Sequence, residues 1–132
     1  MHVAIVTHSF PPHVGRSGGI GTYSFDLANA LADEGANVTV LSGKEPRPTI
    51  TQEKNLTIIR LPFRLSGVPP NWVWFQLQNL KRLSDYLRKV DLIHSQSPFA
   101  TICAYIKRKY GTPWIIGLHS LIRREAKALL ET

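Results

Sequence analysis

The sequence predicts an α/β domain, a mostly parallel sheet covered by helices on both faces, on three observations. Short apolar runs with little polar alternation recur along the chain, the pattern of strands buried on both faces. Between them the apolar residues return every three or four positions, which is the helical period. Gly35 and Gly111 stand where two of those helical stretches should stop, in the position past a helix end that glycine favours.

The elements follow in order. Residues 3–6 (VAIV) form a first strand, and Ile20, Tyr23, Leu27, Ala28, Leu31 and Ala32 form the inner stripe of a helix ending at Gly35. Residues 38–41 (VTVL) make a second strand, closed by Ser42 and Gly43. The segment 44–55, with Pro46 and Pro48, reads as a loop, and 56–61 as a third strand stopped by Pro62. After an irregular stretch, 63–70, Asn71 can cap one long helix to Val90, with Val73, Leu77, Leu80, Leu83 or Ser84, and Leu87 facing inward. Residues 91–94 (DLIH) are a short fourth strand, 98–110 a helix, 114–118 a fifth strand and 121–130 a final helix. This alternation is Rossmann-like, and in such sheets ligands bind beyond the carboxyl ends of the strands. Four segments then qualify as ligand-facing: 7–21, 42–44, 94–98 and 117–120.

Length and composition bound the function. A chain of 132 residues suffices for one domain with a core and leaves no room for a second. With 43% apolar and 19% charged residues it reads as globular rather than disordered. The first strand starts at His2, which leaves no space for a signal peptide, and no window is apolar enough to span a membrane, so a cytoplasmic location is expected. Cys103, the single cysteine, reads as core packing between Ile102 and Ala104. The net charge of +7 is uneven: 4 basic and 5 acidic residues up to Ile59, but 12 and 4 from Arg60 onward. Lys81, Arg82, Arg88, Lys89, Lys107, Arg108, Lys109, Arg123 and Arg124 fall on expected helices, as a solvated face or as one that meets an anionic membrane at its periphery. Nucleic acid is an unfavoured partner, since no aromatic platform or helix-turn-helix pattern accompanies the charge. The aromatic cluster Trp72, Trp74 and Phe75 cannot all face one core, so part of it is expected at the surface.

The connection FPPHVGRSGG after the first strand is the most informative stretch. A dinucleotide fold would turn within a few residues through G-x-G-x-x-G, whereas here Ser24 stands at the third glycine position. A phosphate loop of the Walker type is excluded, because no lysine followed by Ser or Thr comes after the glycines. What remains is a helix start with bare backbone donors at Gly18 and Gly19, suited to an anionic or hydroxyl-rich ligand, with Arg16 as a nearby cation; the alternative is a glycine hinge. His94 and His119 each end a strand on the ligand side, His119 between the small residues Gly117 and Ser120. No metal is expected: His8, His13, His94 and His119 lack zinc-like spacing and a cysteine partner.

Together these residues resemble the N-terminal, acceptor-side domain of retaining glycosyltransferases of the GT-B fold, family 4. The resemblance is carried by Pro11/Pro12, Gly18-Gly19, Tyr23, Leu27-Ala28, Leu31 and Gly35, by the strand at 38–41, by Asp91 to Gln96 (DLIHSQ), and by Pro113 to His119 (PWIIGLH). Gln96 stands where many members carry a second histidine, and its amide can still hydrogen-bond a sugar. The resemblance implies a two-domain enzyme that transfers a sugar from a nucleotide-diphosphate sugar donor, without a further cofactor, to a sugar or lipid-linked acceptor. It implies His119 as the catalytic residue at the reacting sugar, and Gly18, Gly19, Arg16, His94, Gln96 and Ser120 as substrate-binding. The family's C-terminal, donor-binding domain is not in these residues, so the isolated domain is expected to be inactive. The competing reading is a non-catalytic sugar- or nucleotide-binding module, or half of a split transferase acting with a separate donor-binding chain.

Overall fold

The computed structural model describes residues 1–7, 10, 18–45, 49–62, 71–96 and 100–117. Their elements run β1 (His2–Val6), α1 (Gly18–Asp33), β2 (Asn37–Glu45), β3 (Thr49–Glu53), β4 (Leu56–Pro62), α2 (Asn71–Gln78), α3 (Leu80–Leu87), β5 (Leu92–Gln96), α4 (Ala100–Tyr110) and β6 (Trp114–Gly117). The sheet order is β3-β4-β2-β1-β5-β6. Every pairing is parallel except β3 on β4. The doubly wound α/β fold expected from the sequence is therefore present.

Alternation along the central strand divides the core in two. Ala4 and Val6 join Leu41, Ile59, Leu61 and Ile93 on one face, beneath Phe75 of α2, Leu83 and Leu87 of α3, and Ile102, Cys103 and Ile106 of α4. Ile5 is out of step with them and lies on the other face with Val38, Val40 and Leu56, covered by Leu27, Ala28 and Leu31 of α1. Each such buried aliphatic side chain stabilises the fold by about 1.5–3 kcal/mol relative to exposure, and a one-residue slip of β1 would exchange Ala4 and Val6 with Ile5 between the two faces. Register is thus set by the hydrophobic pattern. The path leaves β1 toward β2 on one side and later returns to β5 on the other, so the β1–β5 pair is the topological switch point. Gly35 (φ 96°) and Gly111 (φ 73°) end α1 and α4 in the left-handed region, as their positions predicted.

Three expectations need correction. The segment 44–55 is not a loop throughout: β2 continues to Glu45, and Thr49–Glu53 pairs antiparallel with β4 as an edge strand. All five residues of β3 are exposed, so no apolar run marked it, and the two-residue turn at Lys54 and Asn55 is made without glycine, Lys54 taking φ 53°. The long helix after Asn71 is interrupted at Asn79, which takes φ -112° and ψ 16° and separates α2 from α3. Asn79 sends its side-chain amide to the carbonyls of Pro62 (2.7 Å) and Phe75 (3.0 Å), where it shares the Phe75 carbonyl with its own backbone N–H. The inward residues are consequently Phe75, Gln76, Asn79, Leu83 and Leu87, while Leu77 and Leu80 are exposed. The third correction concerns α1, where Tyr23 is 43% exposed, and Gly21 and Ser24 face the sheet together with the expected Ala28. Of the aromatic cluster, Phe75 is core. The expected helix at 121–130 lies outside the described residues, and among those described no helix is long and apolar enough to cross a membrane.

Candidate functional site

Where β1 ends, the chain meets a layer of buried polar side chains beneath the start of α1. Thr7 follows β1 directly and is held by its N–H to the carbonyl of Leu41 at 3.0 Å. Ser42, next on β2, pairs in register with Arg60 of β4. Gln96 closes β5 on the far side of the switch point. Thr7, Ser42, Gln96 and, from above, Ser24 of α1 are all 0% exposed, and Arg60 is 4%. The side-chain amide of Gln96 donates to Ser24 Oγ at 3.1 Å, and Ser24 Oγ donates to Thr7 Oγ1 across a longer 3.4 Å. Ser42 Oγ is buried without a hydrogen-bond partner among the described residues. Such a layer costs desolvation that an apolar one would not, and its hydrogen bonds offset part of that cost.

Small residues explain how α1 reaches that layer. Gly21, Ser24 and Ala28 recur at helical spacing on its inner face, so the helix backbone can lie close to the strand ends. The helix begins at Gly18, two residues before Ile20, where apolar spacing alone had placed its start. Gly18 and Gly19 are thus inside the first turn, whose backbone N–H groups have no partner within the helix and carry the positive end of its dipole. That is the local chemistry of an anion site.

The second helix start at the switch point is arranged differently. The N–H of Ile102, in the first turn of α4, donates to Gln76 Oε1 at 3.1 Å, so α2 supplies a cap from outside the helix. Nearby, Trp114 Nε1 donates to Ser95 Oγ at 2.7 Å. Cys103, beside Ser95, has its thiol pushed up to about 12 by burial, opposed by its hydrogen bond to Ser95. This face is internally satisfied and inert, as the sequence suggested for Cys103.

His94 sits mid-strand rather than at a strand end, because β5 continues through Ser95 and Gln96 to pair with β6. Its ring is half-buried and tilted 40° against Tyr23, with centroids 6.1 Å apart. Ile115, its register partner on β6, is 50% exposed. Of the residues predicted for the site, His94 and Gln96 meet α1 at the switch point through Tyr23 and Ser24, and Gly18 and Gly19 form the first turn of that helix. Arg16, His119 and Ser120 lie outside the described residues. Thr7 and Ser42 fall within the expected ligand-facing segments 7–21 and 42–44, whereas Ser24 and Arg60 were not anticipated; the readable signal was Arg60, a charged residue inside the apolar strand LTIIRLP.

A separate hollow of about 270 Å³ at the opposite, N-terminal edge of the sheet is lined by His2, Thr39, Gln52, Lys54, Asn55 and Thr57. Its polar groups serve the fold: the His2 ring bonds Thr39 Oγ1 at 2.7 Å, and Asn55 donates to the carbonyls of Ala32 and Ala36.

A doubly wound sheet with a glycine-started helix over its switch point belongs to the class of α/β domains that take their ligands at the strand ends. Residues 17–131 match the model of Glycosyltransferase Family 4, and the chain belongs to that family. No curated protein matches the sequence. Among solved structures, sucrose-phosphate synthase from Thermosynechococcus elongatus superposes with a TM-score of 0.67 at 20% identity, over 91% of this chain and 33% of that one. The trehalose-6-phosphate structure from E. coli bound with UDP-2-fluoro glucose gives a TM-score of 0.61 at 12% identity, over 90% and 33%. The C-terminal domain of a Pyrococcus furiosus hydrogenase also shares the fold, with a TM-score of 0.61 at 20% identity over 89% of both chains. The first two are GT-B glycosyltransferases, and this chain spans about a third of their length.

Proposed function

We propose that this domain is the acceptor-side half of a retaining glycosyltransferase that moves a sugar from a nucleotide-diphosphate sugar to a sugar or lipid-linked acceptor. The observation that carries the reading is a glycine-started α1 held through Ser24 to the ends of β1 and β5, the switch point, in a chain of Glycosyltransferase Family 4. In this reading those backbone N–H groups stabilise the charge that develops on the departing diphosphate, as preorganised donors do without reorganising during the reaction. Arg16 adds a cation, His119 hydrogen-bonds at the reacting sugar, and His94 and Ser120 line the acceptor side. The departing phosphate assists loss of the acceptor proton on the same face.

A single domain supplies one wall of such a cleft. The second wall, a donor-binding C-terminal domain, completes the site and excludes water, so the isolated domain binds weakly and turns over little. The exposed basic residues of α3 and α4, two helices that lie side by side, support a peripheral contact with an anionic membrane on the cytoplasmic side.

The test is sugar transfer by the two-domain protein with and without His119→Ala. Turnover should fall by two or more orders of magnitude with acceptor affinity little changed, and equal turnover would remove His119 from the site. Efficient transfer by the 132-residue chain alone would overturn the divided-site reading.

A further inference from the structure

We propose that Gln96 is a positioning residue: through Ser24 it sets where the glycine turn of α1 stands over the switch point, and it does so independently of pH. The role rests on the donor-phosphate site proposed above, but its structural basis is separate. Lower on α1, Leu27, Ala28 and Leu31 pack on the sheet through apolar contact, which holds a helix against a surface without dictating its rotation or its slide. At its start the surface below is polar, and directional bonds replace packing. The amide of Gln96 reaches Ser24 Oγ from β5, 72 positions away in sequence, with both residues fully buried. Ser24 passes the constraint on to Thr7 at the end of β1. The two strands that border the switch point therefore fix one point, two turns into α1.

The choice of side chain matters. An imidazole or carboxylate in this buried place would change its hydrogen-bonding capacity on titration, whereas an amide donates at every pH. A methionine would fill the volume without donating.

The experiment is backbone amide exchange of the chain, read residue by residue by NMR, on the native protein, Gln96→Met and Gln96→Glu, followed by titration of the two-domain protein with UDP as probe. Protection of the first two turns of α1 should fall about tenfold in Gln96→Met, the factor expected of one buried hydrogen bond, while β2 and β4 keep theirs. In Gln96→Glu the protection should match the native chain at acid pH, where the neutral carboxyl donates as the amide does, and fall as the carboxyl ionises. Should Gln96→Met not fold, the two protonation states of Gln96→Glu make the same comparison. Unchanged protection of α1, or an equal loss across the whole sheet, would overturn the proposal and leave Gln96 a filler. UDP should bind about tenfold more weakly to Gln96→Met. If UDP fails to bind even the two-domain protein, the phosphate site falls, and the exchange pattern of the chain still decides the positioning role.

Discussion

Arg60 of β4 donates through Nη1 to the backbone carbonyl of Phe10 at 2.8 Å, its guanidinium 5.9 Å from the centre of the Phe10 ring. A buried cation thereby anchors one residue of the β1–α1 connection, fifty positions away, over the second core. Phe10 in turn lies 5.8 Å from the Phe25 ring of α1. Arg60→Ala strips the carbonyl of its donor and empties the space beneath the ring, and should destabilise the domain by about 2–4 kcal/mol. Arg60→Met, which keeps most of the volume, should cost less. Urea unfolding of both variants checks the order, and a smaller loss for Ala than for Met would refute the anchoring role.

Asn79 offers a second test, with a pH signature. Its amide protons satisfy Pro62 and Phe75, so Asn79→Asp presents an acceptor to two acceptors. Burial and the two facing carbonyls, against the opposing pull of the Arg82 guanidinium 3.5 Å from Asn79 Oδ1, raise the folded-state pKa of the new carboxyl above its unfolded value of about 3.9. The folded protein then holds the proton more tightly, so the variant is nearest to native stability below about pH 4 and loses stability as pH rises through the folded-state value. Thermal unfolding from pH 3.5 to 7 measures this as a widening gap; a constant gap would show that the amide protons do not matter.

Cys103 predicts behaviour at alkaline pH. Its folded pKa of about 12 stands above the ordinary 9.0, so the folded state keeps the thiol proton that the unfolded state releases. Stability should be unaffected below pH 9 and decline above it by about 1.4 kcal/mol per pH unit from this group. Cys103→Ala should lack that component, which denaturant titrations at pH 8, 9.5 and 10.5 resolve as a converging difference. Iodoacetamide at pH 8 should leave the folded chain unmodified and label it on unfolding.

Exposed Lys81, Arg82, Arg88, Lys89, Lys107, Arg108 and Lys109 predict salt-sensitive adsorption to vesicles. Each cation near an anionic surface contributes about 1 kcal/mol at physiological salt. Co-sedimentation with phosphatidylserine-containing vesicles should weaken several-fold when Lys107, Arg108 and Lys109 become glutamine, and should vanish at ~0.5 M salt, where screening is short-ranged. Retention on purely neutral vesicles to the same extent would exclude an electrostatic contact.

Much of this molecule was legible in residue order. The strands VAIV, VTVL and LTIIRL stand out because burial on both faces removes polar alternation, and the stops at Gly35 and Gly111 because a left-handed helix end selects glycine. The glycine pair at 18–19 stands where α1 begins. β3 was hidden, since an edge strand exposed along its whole length needs no apolar residues, and so was the interruption at Asn79, since an asparagine among leucines looks like one polar position in a helix.

Sequence alone therefore determined the α/β alternation, because hydrophobic period and backbone conformation are local properties. The tertiary structure decided which polar residues meet: Thr7, Ser24, Ser42, Arg60 and Gln96 come from five different elements and connections, and only the parallel register of β4, β2, β1 and β5 brings them into one buried layer. Partners so far apart in the chain leave no spacing to read, since their meeting is fixed by strand pairing and by the helix laid across it.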